Sequence, residues 1–442
     1  MQSLSKTERY NYGEWAILVF LLLGIMPAAR IAGYVTPLQY LLLPLLSLVL
    51  LAACCRRLAW PEQSRMILWL CVVITLEVLF TSIVAPIIHF GSPGLPSEVM
   101  QYFARFVTLF AFIILYYNYE FSGMKFIFGI LAVLFVAMLI GLIQWFDWSG
   151  NYFLWEQYTY SDRYLSHFER SMVTRRVPGV AQMPTANGGL AAFTFSLALA
   201  AFYFLKRYRI FIGLLMILAV INTIASQARM GYLTIFFSLI VFYFFWIYFS
   251  GNVRKPTFIL FSLVSSLAIM IRILYIEESP FIYIAMVRWG SLFEQIIEGG
   301  NRLGQVLLAL SIQENLFDYL FGISRVVQTQ TPGLRIEIEP VNILVLYGFV
   351  GFILQYGLVL LLLLYFLKQV KVVRQEPVLL TLVIASFVSL LGYQFFSISY
   401  YFFREVYVGL FPWIIMGVTI GLVEKYKRGR EPAREIQEQP RT

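Results

Sequence analysis

The feature that most constrains this chain is a series of apolar runs, most of them long enough to cross a bilayer. A membrane-spanning helix needs about 20 apolar residues, which gives about twelve candidate spans. They lie at residues 15–32, 37–54, 66–88, 99–117, 126–146, 188–205, 210–225, 232–249, 258–276, 341–367, 378–397 and 408–423. Because helices satisfy their own backbone hydrogen bonds in lipid, we expect an all-α, polytopic membrane protein with a single transmembrane domain over residues 1–442.

The lysines define an orientation, because all of them fall on one side of the membrane if the spans alternate. They are Lys6, Lys125, Lys206, Lys255, Lys368, Lys371, Lys425 and Lys427. Lysine and arginine in short loops mark the cytoplasmic side. We therefore expect both termini to be cytoplasmic.

The opposite, outer side carries arginine as its only basic residue. The arginines concerned are Arg163, Arg170, Arg175, Arg176, Arg229, Arg288, Arg302, Arg325, Arg335 and Arg404, with Arg30, Arg105 and Arg272 toward the outer ends of spans. Each alone is explained by a side chain that reaches lipid headgroups. Together, with no lysine among them, they favour an anion site, because the guanidinium fork matches phosphate better than an ammonium does.

Two long segments, 147–187 and 277–340, are predicted to lie outside. The first is rich in aromatic residues, which indicates an interfacial belt or stacking on sugars. The second has helical apolar spacing over 289–297 and 303–310, separated by Gly299-Gly300. We expect two amphipathic helices there, which lie on the outer interface or pack on the bundle and could cover a cavity.

Several classes of function are excluded by what the sequence lacks. The net charge of +9 is spread over many loops, so no nucleic-acid partner is expected. The cytoplasmic loops are short and carry neither a P-loop nor a dinucleotide-binding fingerprint. Any chemistry therefore belongs outside, where nucleotides are absent. The substrate must arrive already activated, and lipid-linked diphosphates are the obvious class.

Five short motifs follow one another on the predicted outer side. They are RVPG at 176–179, PTANGG at 184–189, SQARMG at 226–231, LFGI at 320–323 and GFVG at 348–351, with Arg302 before an apolar helix. In order and placement they resemble the Arg-x-x-Gly…Asn, Ser-x-Ser-Arg-Gly, Leu-Phe-Gly-Ile-Gly and Gly-Leu-Ile-Gly elements of the O-antigen polymerase and ligase superfamily. The resemblance covers about residues 176–351.

One departure distinguishes the two branches of that superfamily. Its ligases, which transfer O-antigen to lipid A–core, carry a histidine shortly before the glycine pair. Here the corresponding stretch, 335–342, has none, and the histidines of the chain are His89 and His167. The sequence therefore resembles a polymerase of the Wzy type more than a ligase.

The resemblance implies a bacterial inner-membrane polymerase with a GT-C-like glycosyltransferase fold and an active site that faces the periplasm. It would transfer a growing glycan from undecaprenyl diphosphate to a hydroxyl of the next lipid-linked repeat. Lipid-linked oligosaccharide is then both donor and acceptor, and chain-length regulator and flippase proteins are further candidate partners. No cofactor and no metal are expected, because arginines can stabilise the leaving diphosphate.

The candidate site residues follow from this chemistry. For the diphosphate, Arg176 and Arg229 come first because each lies within a resembling motif at the outer end of a span. The further candidates are Arg302, Arg288 and Arg105.

A base for the acceptor hydroxyl is sought where the ligase histidine would lie. Glu337 and Glu339 occupy that stretch. Counted along the sequence from Gly348, Glu337 is closer to the position at which the ligases carry their histidine. The alternative is that both are solvated carboxylates or partners of Arg335.

Two rival functions are carried forward. The first is the ligase, which shares the chemistry but has another acceptor. The second is a twelve-helix transporter or lipid-linked glycan flippase, which the number of spans also fits. Transporters place polar residues near the midplane of the membrane. Here the polar residues lie toward the outer ends of the predicted spans, and Glu77 is the exception in the middle of a span.

Overall fold

The chain forms a helical bundle with a short β-hairpin near its N-terminus. The computed structural model describes residues 6–31, 34–94, 97–146, 148–158, 171–251, 254, 301–331, 334, 336–398, 400 and 408–438. In chain order the helices are α1 (Lys6–Leu23), α2 (Leu43–Cys54), α3 (Ser64–Phe90), α4 (Ser97–Asn118), α5 (Gly123–Trp145), α6 (Asn151–Tyr158), α7 (Pro184–Phe204), α8 (Arg209–Ser226), α9 (Arg229–Ser250), α10 (Asn301–Ser311), α11 (Leu316–Phe321), α12 (Ser324–Gln330), α13 (Glu339–Val372), α14 (Pro377–Phe396) and α15 (Leu410–Glu438).

Eight helices of the described ranges are long and apolar enough to cross a membrane, namely α3, α4, α5, α7, α8, α9, α13 and α14. Apart from the longer α13, their ends fall within a few residues of the predicted spans. The span predicted at 408–423 forms the first half of α15, which continues to Glu438. The span predicted at 258–276 lies outside the described residues. The chain is thus an all-α polytopic membrane protein, as predicted.

The first two predicted spans differ from the structure. α1 ends well before residue 32, and Pro27 cannot continue a helix because it lacks a backbone donor. The chain then forms strand β1 (Ala29–Ile31), which pairs antiparallel with β2 (Tyr34–Thr36). Arg30 therefore lies in a strand, and its predicted place near the end of a membrane helix is wrong. The second span opens with a 3₁₀ helix, Leu38–Leu42, which leaves only 12 residues for α2.

Lysines gather at one end of the bundle. Nζ of Lys425 donates to the carbonyl of Tyr119, after α4, at 2.7 Å. Nζ of Lys427 donates to Oε1 of Gln63, before α3, at 2.8 Å. Lys125, at the start of α5, forms an ion pair with α1. The charge pattern predicts that the segments carrying these lysines lie on one side of the membrane, and in the structure they meet at one end of the bundle.

Two glycines allow α15 to approach α4 closely. A Cβ on Gly417 would lie 2.5 Å from the carbonyl oxygen of Leu109, and one on Gly421 would lie 2.6 Å from that of Ile113. Glycines spaced by four residues let membrane helices pack backbone to backbone. The contact begins one turn after Arg105, so it fixes the part of α4 that carries this arginine.

A second pair of glycines joins the LFGI and GFVG segments. Gly322 has a φ of +81°, and Gly348 has a φ of +61° and interrupts the helical geometry of α13. A Cβ on Gly322 would collide with the backbone of Leu346 and Tyr347, and a Cβ on Gly348 with that of Leu320. Only glycine meets both requirements, so these motifs form a single backbone contact.

Hydrogen bonds hold the same segment against the bundle. The backbone N–H of Ile323 donates to the carbonyl of Val345 in α13 at 2.9 Å. Oγ1 of Thr81 in α3 donates to the carbonyl of Phe321 at 3.0 Å. The start of α13 and the end of α11 therefore form one unit with α3.

We predict that Gly348→Ala lowers the thermal unfolding midpoint of the purified protein in detergent. Alanine is strained at this φ, at a cost on the order of 1–3 kcal/mol, and its Cβ meets backbone atoms. The matched control is Gly357→Ala in the same helix, where a Cβ meets no atom within 4 Å. The control should hold or raise the midpoint, since alanine favours a helix over glycine by about 1 kcal/mol. Equal midpoints for the two variants would contradict the backbone contact.

Candidate functional site

A cavity of about 60 Å³ lies among α3, α4, α13, α14 and α15. It is near the end of the bundle at which α4, α13 and α15 begin, which is the end predicted to be outer. A space of this size holds a few water molecules. Its polar and aromatic lining includes Arg105, Glu339, Gln355, Gln394, Tyr102 and Trp413.

Arg105 places a cation at this cavity. Only 2% of its surface is exposed, and its Nε and Nη2 have no hydrogen-bond partner among the described residues. Its guanidinium carbon lies 5.5 Å from the centre of the Tyr102 ring, a cation–π contact. Arginine stays charged in proteins, and a buried charge without acceptors is costly. The two nitrogens therefore mark a position at which an anionic oxygen would be stabilised.

Glu339 brings a carboxylate to the same cavity. It is the first residue of α13 and is 4% exposed. Its backbone N–H donates to the carbonyl of Ser397 at 3.0 Å, which ties the start of α13 to the end of α14. Glu337 is half-buried and does not line the cavity. The structure thus separates the two predicted bases. Glu339, which is farther in sequence from the position of the ligase histidine, lines the same cavity as Arg105.

Arg176 and Arg229 belong to a second site, which we call the arginine turn: residues 174–179, Asn187 and 225–231. The backbone N–H of Val177 donates to the carbonyl of Ala225 at 3.0 Å, and Nδ2 of Asn187 donates to the carbonyl of Val177 at 3.3 Å. Three of the resembling segments therefore meet here, at the start of α7. Both arginines are half-buried, and neither lines the cavity of Arg105.

Polar side chains shape the link between α8 and α9 within the arginine turn. Gln227 has a left-handed φ of +53°, and its Nε2 donates to the carbonyl of Thr174 at 3.1 Å. Oγ of Ser226 accepts a hydrogen bond from the backbone N–H of Ala228 at 3.3 Å. Arg229 is then the first residue of α9. The N-terminus of a helix favours anions, which adds to the charge of the arginine.

Both sites have a connection to α14. Gln394 lines the cavity, while its neighbour Tyr393 packs against Phe193 of α7 with ring centroids 6.0 Å apart. Beyond α14, the hydroxyl of Tyr400 donates to Sδ of Met183, directly before α7, at 3.4 Å. The start of α7 and the start of α13 are therefore connected through the end of α14.

The remaining predicted residues lie partly or wholly outside the described structure. Arg302 is in α10, which matches the second predicted amphipathic helix, but its side chain is not described. Arg288 and the first amphipathic helix, 289–297, lie outside the described residues, as does His167. His89 is described: its Nε2 lies 3.1 Å from Oδ1 of Asp318 and joins the end of α3 to α11.

Several side chains at or near the cavity were missed by the sequence reasoning, among them Tyr102, Gln355 and Glu98. The hydroxyl of Tyr102 donates to Oε1 of Gln355 at 2.9 Å. Glu98, 3% exposed, accepts from the hydroxyl of Tyr347 and lies 3.5 Å from Nη1 of Arg325. A signal was present, because polar residues inside or at the start of apolar spans mark functional positions.

No protein-family model matches this chain, and no curated protein is significantly similar to it. Within the described ranges, no group of three or more His, Cys, Asp or Glu side chains could hold a metal ion. The interpretation of the site therefore depends on its own geometry and on the motifs, and the family resemblance stays a prediction.

We predict that Arg105→Met raises the thermal unfolding midpoint of the ligand-free protein. Methionine fills a similar space without a buried charge, and replacing buried charges by apolar groups is often neutral or stabilising by about 1–4 kcal/mol. The same variant should lose activity, because the donors to the anion are gone. The measurement is thermal unfolding of both proteins in one detergent, and a clearly lower midpoint would show that Arg105 has a structural role instead.

Proposed function

We propose that the protein is a polymerase of lipid-linked oligosaccharide repeats at the periplasmic face of a bacterial inner membrane. The donor is a glycan on undecaprenyl diphosphate, and the acceptor is the next lipid-linked repeat. A GT-C-like fold is part of the same proposal. The observation that carries it is a cavity lined by both Arg105 and the carboxylate of Glu339, where two nitrogens of Arg105 have no hydrogen-bond partner among the described residues.

The proposed reaction is a displacement at the anomeric carbon of the donor. The acceptor hydroxyl oxygen forms a bond to this carbon while the bond from the carbon to the diphosphate oxygen breaks. Arg105 donates hydrogen bonds to the leaving diphosphate, where negative charge develops. Glu339 accepts the proton of the hydroxyl. The products are a glycan longer by one repeat on the acceptor lipid and free undecaprenyl diphosphate.

The presence of two arginine sites supports a polymerase among the related activities. A polymerase handles two lipid diphosphates, one as donor and one as acceptor. Arg105 lines the cavity beside Gln394 of α14, whereas the segments of Arg176 and Arg229 meet at the start of α7, which packs on α14. We assign the cavity to the leaving phosphate of the donor, since its volume fits a small polar group and it holds the candidate base. We assign the arginine turn to the diphosphate of the acceptor.

A transporter or flippase is the second candidate, and one residue favours it. Glu77 in α3 is 7% exposed, and its Oε1 lies 3.1 Å from Oγ1 of Thr81. Its Oε2 has no hydrogen-bond partner in the described part of the chain. A carboxyl group inside a membrane bundle is typical of ion-coupled transport. The ligase is the third candidate and differs from the polymerase only in its acceptor.

The proposed orientation predicts which cysteines are reached from outside the cell. In spheroplasts, an impermeant maleimide should leave the native Cys54 and Cys55 unlabelled, although both side chains are exposed, because they lie at the lysine end. Thr329→Cys, an exposed position in α12, should be labelled in a Cys54→Ser, Cys55→Ser background. Inverted vesicles should give the reverse pattern. Labelling of the native pair in spheroplasts would overturn the topology.

We predict that a lipid-linked repeat alone, with chelator present and no lipid A–core, gives a ladder of glycans spaced by one repeat. Glu339→Gln should reduce the rate of elongation by about 10²–10⁴-fold, the usual contribution of a general base. Glu337→Gln is the matched control and should remain active, since Glu337 does not line the cavity. Products are resolved on gels, and released undecaprenyl diphosphate is measured beside them.

Each rival gives a different result in that assay. A protein that is inert on the repeat alone but active once lipid A–core is added is a ligase. One that moves labelled lipid across liposomes without making longer glycans is a transporter. Equal rates for Glu339→Gln and Glu337→Gln would remove Glu339 from the mechanism.

A further inference from the structure

We propose that Gln355 is a second donor to the diphosphate and that Tyr102 is the positioning residue for both Gln355 and Arg105. The inference rests on the proposed function for the identity of the anion, a polyprenyl diphosphate. It adds a ligand contact and a positioning residue that neither the motifs nor the charge pattern indicated.

Tyr102 contacts both donors from one position on α4. Its hydroxyl donates to Oε1 of Gln355 at 2.9 Å, so the amide oxygen is engaged. The face of its ring lies 5.5 Å from the guanidinium carbon of Arg105. Residues three apart on a helix lie on the same face, so Tyr102 and Arg105 project together toward Gln355 of α13.

The oxygen of the Gln355 amide accepts the hydrogen bond from Tyr102, and the nitrogen lies on the other side of the amide. Nε2 of Gln355 is buried and has no hydrogen-bond partner among the described residues, as is also true of Nε and Nη2 of Arg105. Both side chains line the same cavity. Amide and guanidinium N–H groups donate and do not accept, so the free polar atoms of this pair are all donors.

A set of donors without acceptors is suited to an anion rich in oxygen. Leaving a buried donor unsatisfied costs about 1–3 kcal/mol, whereas a hydrogen bond to a charged group is stronger than a neutral one. A diphosphate supplies several charged oxygens and can accept from Arg105 and Gln355 at once. Glu339 lines the same cavity.

Tyr102 is itself held by its surroundings. Its ring packs edge-on against Tyr347 of α13, with centroids 5.9 Å apart. The hydroxyl of Tyr347 donates to Glu98, one turn before Tyr102 on α4. The side chain of Tyr102 is therefore held against α13, and it can orient the amide of Gln355 before a ligand binds.

Binding of geranylgeranyl diphosphate to the purified full-length protein tests the inference without any glycan. Uncharged geranylgeraniol is the control ligand. Gln355→Leu should weaken binding by about tenfold, the value of one hydrogen bond to a charged group. Gln355→Glu should weaken it further, because a carboxylate opposes the diphosphate. The matched control is Gln369→Leu, which removes another buried amide from α13 outside the cavity and should leave affinity unchanged.

Tyr102→Phe removes the hydroxyl and keeps the ring beneath Arg105. It should weaken binding severalfold in the wild-type background and have no effect in the Gln355→Leu background, since the hydroxyl acts through Gln355. A purely structural role would weaken both backgrounds equally. Tyr116→Phe, another buried tyrosine of α4, is the control for loss of a hydroxyl, and thermal unfolding confirms that each variant is folded.

The possible results separate this inference from the proposed function. Wild-type affinity for Gln355→Leu or Gln355→Glu, or additive effects of Tyr102→Phe and Gln355→Leu, would overturn it. Failure of the wild-type protein to prefer the diphosphate over the alcohol would overturn it as well. If the binding pattern is as expected but a lipid-linked repeat is not elongated, the diphosphate site stands and the polymerase proposal fails.

Discussion

The position of a permanent positive charge inside the membrane bundle is the constraint on which the rest of the site depends. Arginine stays charged in proteins, and burying a charge is tolerated only where surrounding groups compensate for it. Here the ring of Tyr102 supplies part of that compensation, while two nitrogens lack acceptors in the described structure. The close packing of α15 on α4 holds the arginine in place. Among the described residues, the bundle thus holds two buried guanidinium donors at one cavity.

The same structure gives the motif glycines a physical role. Gly322 and Gly348 bring the end of α11 against the broken turn of α13, and neither glycine offers a functional group to a substrate. Thr81 and His89 tie the same region to α3. These motifs therefore build the support of the site, whereas the chemistry belongs to side chains such as Arg105 and Glu339.

The sequence predicts the membrane-spanning helices well because their length and hydropathy are imposed by the bilayer. The sequence-based prediction fails at the β-hairpin. The residues around Arg30 are apolar enough to keep the mean hydropathy of the first predicted span high, although they form strands. That Arg105 and Glu339 line one cavity could not be predicted, because α4 and α13 are distant in the chain and no periodic pattern relates the two positions. Arg176 and Arg229 were recognised from motifs, and their segments do meet. Gln355 was overlooked because a single amide hardly changes the hydropathy of its span.

The break at Gly348 also determines how the site responds to the membrane itself. α13 has 34 residues, about 50 Å of helix, whereas the hydrocarbon core is about 30 Å thick. The part after the break, 349–372, is roughly 36 Å long and can match the bilayer by tilting. The part before it is tied to α14 at Ser397. Glu339 lies before the break and Gln355 after it, so a change in bilayer thickness that tilts the second part would alter the cavity between them.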